Sequence, residues 1–299
     1  MIKITNVTKT FDDIKAVDQI SLTIPNGIVF GMLGTNGAGK STLLRMISGV
    51  LKADSGQITI DDETIYDNPE AKKKFFYISD DQYYFPNSKP SDLASFYKNY
   101  YPEFDTERFL NYLNKFGLDY NRKINTFSKG MKKQVSILLG VCANTPYLIC
   151  DETFDGLDPV MRQAIKSLFA KEMSDRGLTP IIASHNLREL EDICDHIGLL
   201  HKGGVLLSKD LEELKCNLIK VQCVLEQDHD EQLQNTLDII KFQKRGKLIT
   251  MTIRGKESDI LDYIETLKPI YLEALPLTLE EIFISETEVV GYDMQSIIL

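Results

Sequence analysis

Residues 34 to 42, GTNGAGKST, place glycines, a lysine and two hydroxyls in the order G-x-x-x-x-G-K-[ST], which suits the wrapping of nucleotide phosphates. A polyphosphate is best neutralised by several backbone N–H groups converging on it without side chains in the way. Gly34, Gly37 and Gly39 permit that close approach and the unusual backbone angles it needs. The expected ATP or GTP loop is therefore Gly34, Thr35, Asn36, Gly37, Ala38, Gly39, Lys40, Ser41 and Thr42. Within it, Lys40 is placed to reach the β- and γ-phosphates, the Ser41 hydroxyl to ligate Mg²⁺, and Thr42 to touch the α-phosphate.

A second group capable of chemistry lies in YLICDETFDGLDP, residues 147 to 159, where an apolar run ends in two adjacent carboxylates. Asp151 is expected to hold Mg²⁺ through water, and Glu152 to orient or deprotonate the water that attacks the γ-phosphate. Taken alone, the segment also fits a solvated acidic turn. A calcium loop is excluded, because the D-x-[DN]-x-[DN]-G spacing and its distal Glu are missing. Between the two groups, TFSKGMKKQVSILLGV, residues 126 to 141, begins with small and hydroxyl residues. It continues with helical apolar spacing at Val135, Ile137, Leu138 and Val141, so it reads as a helix N-terminus with free N–H donors.

The elements that must position these groups follow from the flanking patterns. IVFGML, residues 28 to 33, reads as a buried strand entering the glycine loop, and TLLRMISGV as the helix leaving it with its dipole set against the anion. PSDLASFYKNYY predicts a helix capped by Ser91, with Leu93, Phe96, Tyr97 and Tyr100 on one core-facing stripe. This is the aromatic part of the chain: residues 75 to 104 hold eleven of its 27 aromatics. An alternative use of Tyr83, Tyr84 and Phe85 is to line a groove that receives a partner helix. Lys72 to Lys74 read as a solvated face. After about residue 215 the order strand, helix, hairpin around Arg245-Gly246, helix, strand predicts a β-α-β-β-α-β, ferredoxin-like sandwich. Its second helix carries Ile260, Leu261, Ile264 and Leu267 on one side.

Together, GTNGAGKST, FSKGM and YLICDETFDGLDP resemble, in order and spacing, the ATP-binding subunit of an ABC transporter over residues 1 to 215. FSKGM takes the place of that family's LSGGQ-like signature. The resemblance implies an α/β fold: a P-loop ABC-type ATPase core, residues 1 to 215, with a helical subdomain at about 84 to 140. A small α+β module over 216 to 299 would follow it. It further implies that Phe11, in KTFDDIKAV, stacks on adenine with Val17 nearby, and that DGLD, residues 155 to 158, forms the turn crossing a dimer interface. His185, in IIASHNLREL, would contact the γ-phosphate. Ser128 and Gly130 of one subunit would face the γ-phosphate held by Lys40 of the other, so that ATP joins a head-to-tail dimer with a second copy or a related ATPase. His196, His201 and His229 match nothing in the pattern and are read as structural.

Three places depart from the family. Its metal-contacting glutamine is replaced by Asp80 at the end of FFYISD, with Gln82 as the alternative under a register shift. Lys129 and Met131 stand for a Gly and a Gln, and Thr153-Phe154 for Pro-Thr. None touches Lys40, Asp151 or Glu152, so hydrolysis of ATP with Mg²⁺ is expected.

Composition bounds the rest. The 299 residues, 43% hydrophobic, suffice for one large or two ordinary domains. A net charge of −10 argues against gripping nucleic acid. Cys142, Cys150, Cys194, Cys216 and Cys223 form no C-x-x-C pair and read as reduced thiols of a cytosolic protein. MIKITNVTKTF alternates like a strand and lacks a signal-peptide h-region, and no apolar run is long enough to span a bilayer. The expected setting is thus cytoplasmic, peripheral on the membrane through a separate integral permease. PLTLEEIFI resembles a closing segment of bacterial antibiotic and peptide exporters, which favours export. A ribosome- or DNA-directed ABC-type ATPase is the alternative, but it would favour two ATPase units or a basic face. A P-loop kinase or GTPase leaves FSKGM and His185 without a role, and no N-K-x-D tetrapeptide occurs.

Overall fold

The computed structural model describes residues 1 to 211, 213 and 218 to 289, and the chain divides into two compact units, Met1–Ser208 and Lys209–Leu299. Cys216 and the expected boundary between residues 215 and 216 lie outside the described residues.

The first unit opens with β1 (Ile2–Phe11), β2 (Ile14–Ile24), β3 (Phe30–Gly34), α1 (Lys40–Ile47), β4 (Ser55–Ile60), β5 (Glu63–Thr64), α2 (Pro69–Lys72) and β6 (Phe75–Ile78). A helical stretch follows, with α3 (Pro90–Lys98), α4 (Thr106–Lys115) and α5 (Lys129–Cys142). The unit then returns to the sheet through β7 (Tyr147–Asp151), α6 (Pro159–Arg176), β8 (Thr179–Ser184), α7 (Leu187–Glu191), β9 (His196–His201) and β10 (Gly204–Asp210).

Two sheets result, one ordered β2-β1-β4-β5 and one ordered β10-β9-β3-β8-β7-β6. In the second, β3 lies parallel between β8 and β9, with Met32 opposite Ala183 and Gly198, and β7 lies parallel to β8. All five residues of β3 are buried, as are those of β7. A strand covered on both faces needs apolar residues on both, which is why these segments are continuous rather than alternating apolar runs. The side chains of Leu43, Leu44 and Ile47 on α1 join Phe30, Met32, Ile149 and Ile181 in the core between the two sheets.

The start of α3 differs from expectation. Pro90 is its first residue, Lys89 precedes it, and the Asp92 carboxylate accepts from the Lys89 N–H at 2.9 Å, so Ser91 lies inside the first turn and is not the cap. Proline in the first turn needs no N–H partner, and this moves the boundary back. The stripe on α3 is also narrower than predicted. Leu93 and Ala94 are buried, whereas Tyr100 is 61% exposed and touches Phe96 only at the surface.

The helical stretch is latched to the sheet-bearing core by a buried carboxylate. Glu172 on α6 is 1% exposed and accepts from Arg176 Nε at 2.7 Å, Arg108 Nη1 at 3.4 Å and the Tyr112 hydroxyl at 3.3 Å. Arg108 Nη2 also donates to the Val141 carbonyl at 2.9 Å and to Asn144 Oδ1 at 2.7 Å, and Arg176 Nη1 donates to the Thr145 carbonyl at 2.6 Å.

The second unit comprises β11 (Leu218–Val224), α8 (Asp230–Thr236), β12 (Asp238–Arg245), β13 (Leu248–Arg254), α9 (Glu257–Thr266), β14 (Tyr271–Leu275) and α10 (Leu279–Val289). Its four strands are ordered β12-β13-β11-β14 with every neighbouring pair antiparallel, the connectivity of a split β-α-β sandwich. Val221, Ile249, Met251 and Ile253 meet Leu233, Ile260 and Ile264 in a separate core. α10 adds a helix beyond the predicted order. Its capping box pairs the Glu281 N–H with Thr278 Oγ1 at 3.2 Å and the Thr278 N–H with Glu281 Oε2 at 3.1 Å.

Glu172→Ala strands two guanidinium groups, and breaking such a buried pair costs about 3 kcal/mol. Thermal unfolding should show a drop in midpoint of several degrees; an unchanged midpoint would mean that the latch contributes nothing.

Candidate functional site

The sheet order places the C-terminal ends of β3, β8 and β7 side by side, so the loop after β3 converges with the segments after β7 and β8 although it lies far from both in sequence. After β3 runs the glycine loop. Gly39 has φ +100°, and a Cβ there would lie 2.3 Å from the Ala16 carbonyl oxygen, so only glycine can occupy the position directly before α1. Val17 is fully buried beside this glycine, so it supports the loop from below and offers no open face. Phe11, at the end of β1, is 45% exposed with the Lys9 ammonium 5.5 Å from its ring centroid, an accessible aromatic surface.

Lys40 is buried, with its Nζ 2.8 Å from the Gly34 carbonyl, 3.3 Å from the Thr35 carbonyl and 3.2 Å from Glu152 Oε1. The other oxygen of Glu152 lies 2.8 Å from His185 Nδ1. One carboxylate thus joins the loop after β3, the end of β7 and the end of β8. Glu152 itself has φ +48°, a left-handed conformation that costs a side-chain-bearing residue about 1–2 kcal/mol. Two contacts hold this peptide: the Glu152 N–H donates to the Ala183 carbonyl at 3.0 Å, and Lys133 Nζ donates to the Glu152 carbonyl at 2.6 Å. A hydrogen bond from a charged donor is worth roughly 1.5–3 kcal/mol, enough to offset the backbone strain.

Asp151 is fully buried and accepts from the Ser41 hydroxyl at 2.9 Å and the Tyr77 hydroxyl at 3.3 Å. Burial holds its carboxyl above the usual range, the two hydroxyls oppose that shift, and the charges of Glu152 and Asp80 add to it. Burial, with the neighbouring Asp151 charge, pushes the Tyr77 phenol up to about 12. A hydroxyl and a carboxylate sharing a buried spot without a cation of their own are the hard oxygen set that suits Mg²⁺, which takes its remaining ligands from water and phosphate. Among the described residues no cluster of three or more His, Cys, Asp or Glu forms an all-protein metal site.

Asp80 and Gln82 lie in different environments. Gln82 turns into the helical stretch, where its Oε1 accepts from the Tyr84 hydroxyl and from Ser136 Oγ, the latter at 2.9 Å. Asp80 is exposed, and its charge reaches both Asp151 and Lys133. The Tyr84 hydroxyl bonds Ser136 at 2.7 Å and the Lys132 carbonyl at 3.0 Å, while the half-buried residue lines a cleft with Tyr83, Tyr97 and Leu139. The exposed pair is Tyr83 and Phe85.

Ser128 caps α5 by accepting from the Met131 N–H at 3.2 Å, and both Ser128 and its helix end remain accessible. No hydrogen bond or ion pair joins Ser128 or Gly130 to residues 34 to 42 among the described residues. Gly130 instead lies against Gly156, and Lys129 Nζ sits 3.5 Å from Asp155 Oδ2. Sequence reading missed Tyr77 and Lys133. The available signals were a tyrosine three residues before Asp80 and a lysine set among the buried positions of α5.

A glycine loop, a hydroxyl-carboxylate pair and a second carboxylate beside a histidine, all at parallel strand ends, define a phosphate-loop nucleoside triphosphatase. The sequence profile of the ABC transporter family matches residues 17 to 155. The chain is 31% identical over 286 residues to the ABC transporter ATP-binding protein YtrB of Bacillus subtilis (strain 168), covering 96% of this chain and 98% of that one. It is 31% identical over 218 residues to the bacitracin transport ATP-binding protein BcrA of Bacillus licheniformis, covering 72% and 71%. The dimeric structure of MJ0796, a bacterial ABC transporter cassette, superposes with a TM-score of 0.64 at 26% identity, covering 71% of this chain and 99% of that one. The chain belongs to the ABC transporter ATP-binding proteins and is an ATPase of that family.

Because the folded state raises the Asp151 pKa, its charge costs stability above the ordinary carboxylate range and costs nothing below it. Asp151→Asn should therefore raise the unfolding midpoint of nucleotide-free protein at neutral pH, with the gain vanishing as pH falls below about 4. The same variant should lose Mg²⁺-dependent hydrolysis. A midpoint lowered at neutral pH would contradict the assignment.

Proposed function

We propose that this chain is the cytoplasmic motor of an exporter, seated on the inner membrane face through a separate permease, and that it hydrolyses ATP with Mg²⁺ as part of a two-subunit assembly. The observation that carries this reading is the single carboxylate of Glu152, held between Lys40 and His185 next to Asp151 and Ser41. Lys40 and the loop amides would bind the β- and γ-phosphates, and Ser41, Asp151 and the exposed Asp80 would hold the metal. Mg²⁺ supplies charge neutralisation on the phosphate oxygens. Glu152 takes the proton of the attacking water, and His185 fixes the carboxylate's orientation and reaches the γ-phosphate. Phe11 offers the adenine its face.

The accessible end of α5 supports the two-subunit arrangement. Among the described residues Ser128 and Gly130 make no hydrogen bond to their own chain's phosphate loop, and a helix start of this kind suits the phosphates of a partner's nucleotide. The second subunit is a copy of this chain or a related ATPase. ATP then favours the closed pair, and its cleavage reopens it. Relationship to a bacitracin transport protein and the PLTLEEIFI segment favour export, with a peptide or antibiotic as the cargo. No helix among the described residues is long and apolar enough to cross a membrane. Tyr83 and Phe85, exposed and packed edge to face at 5.8 Å, offer that permease an apolar contact.

Glu152→Gln should lower turnover by about 10²–10³-fold and accumulate an ATP-bound dimer, read by phosphate release and by light scattering. Hydrolysis at the parent rate would place the base elsewhere. Replacing Tyr83 and Phe85 by Ser should leave the ATPase of the isolated subunit intact and abolish co-purification with the permease. Undiminished co-purification would reject the contact.

A further inference from the structure

Among the described residues, the two lysines that are buried are Lys40 and Lys133, and only the first has a place in phosphate binding. Lys133 lies one turn into α5 and is 2% exposed. Its ammonium donates to the Glu152 carbonyl at 2.6 Å and to the Asp155 carbonyl at 2.9 Å, and lies 3.9 Å from Asp155 Oδ2. Burial lowers its pKa, and the Asp155 carboxylate opposes that shift. A lysine that served only to fill space would be replaced at no cost by an apolar side chain, and its solvation would not have to be recovered from two carbonyls. Its targets are also specific. Glu152 is the residue with φ +48°, whose side chain reaches Lys40 and His185. Asp155 opens the DGLD turn, which a second lysine on the first turn of α5, Lys129, also contacts.

We propose that Lys133 is a positioning residue for ATP hydrolysis. By holding the Glu152 and Asp155 carbonyls, it fixes the left-handed peptide that aims Glu152 and ties that peptide to the helix that begins at Ser128. The geometry of the base and of the helix end offered to a partner's nucleotide are thereby set by one ammonium group. The proposal rests on the reading of Glu152 as the base.

The test is a double-mutant cycle on the full chain, with ATP affinity measured at equilibrium and hydrolysis in single turnover. Lys133→Met should lower the rate about 10²-fold, the scale of a misplaced catalytic group, while ATP affinity stays within about twofold. In the Glu152→Gln background the same change should lower the residual rate hardly at all, because the group it positions is already gone. Equal losses in both backgrounds, or a rate that falls only in step with ATP affinity, would overturn the proposal and leave Lys133 a purely structural residue. Parent-rate hydrolysis by Glu152→Gln alone would instead remove the underlying reading of the base. If Lys133→Met does not fold, Lys133→Arg enters the same cycle. It keeps N–H donors with an altered reach, so a loss that is smaller in the Glu152→Gln background supports the proposal, and an additive loss overturns it.

Discussion

Glu152 is where three parts of the chain are obliged to meet. Its carboxylate spans from Lys40, at the start of α1, to His185, after β8, while its own backbone directly follows β7. That contact is possible only if β7, β8 and β3 are adjacent and parallel, so that all three C-terminal ends open on the same edge of the sheet. It also requires the left-handed peptide at Glu152, because an extended continuation of β7 would carry the next side chain to the opposite face. The remaining architecture follows from these demands. Burial on both faces stiffens the strands, the glycines let the loop turn sharply above Val17, and Ser41 closes onto Asp151 from α1.

The electrostatics are graded along this edge. Asp151 lies deepest, with its charge opposed by burial and by neighbouring acids, and it is held by two hydroxyls rather than by a cation of the protein. Glu152 is nearer the surface and has a lysine and a histidine on either side. Two adjacent carboxylates are therefore placed in different surroundings, one suited to face a metal ion and one suited to handle a proton.

What could be read from the sequence was what is local. The loop GTNGAGKST, the paired carboxylates after YLIC and the helix start in TFSKGM each depend on residues within about a dozen positions, so their spacing reveals them. The second unit was legible for the same reason, since the alternation of LIKVQCV and the helical spacing of Ile260 and Ile264 are short-range patterns. What escaped were contacts between distant segments. Tyr77 reaches Asp151 across 74 positions, Lys133 meets the Glu152 carbonyl from another helix, and Glu172 gathers Arg108 from 64 positions away. Tyr84 looked like one of three equivalent aromatics. Only its hydroxyl, bonded to Ser136 and the Lys132 carbonyl, sets it apart from Tyr83 and Phe85. Proline at the start of α3 overrode the serine that followed it, a local cue ranked in the wrong order.

The relationship to YtrB extends over 286 residues and so takes in both units. The account as a whole turns on how Glu152 behaves when a triphosphate occupies the loop. A crystal structure with Mg²⁺ and a non-hydrolysable ATP analogue tests this most directly. Lys40 and Ser41 should lie on the phosphates and metal, with the Glu152 carboxylate released from Lys40 and turned towards the γ-phosphate. Nucleotide bound away from Lys40, or Glu152 still paired with Lys40 beside a filled loop, would contradict it.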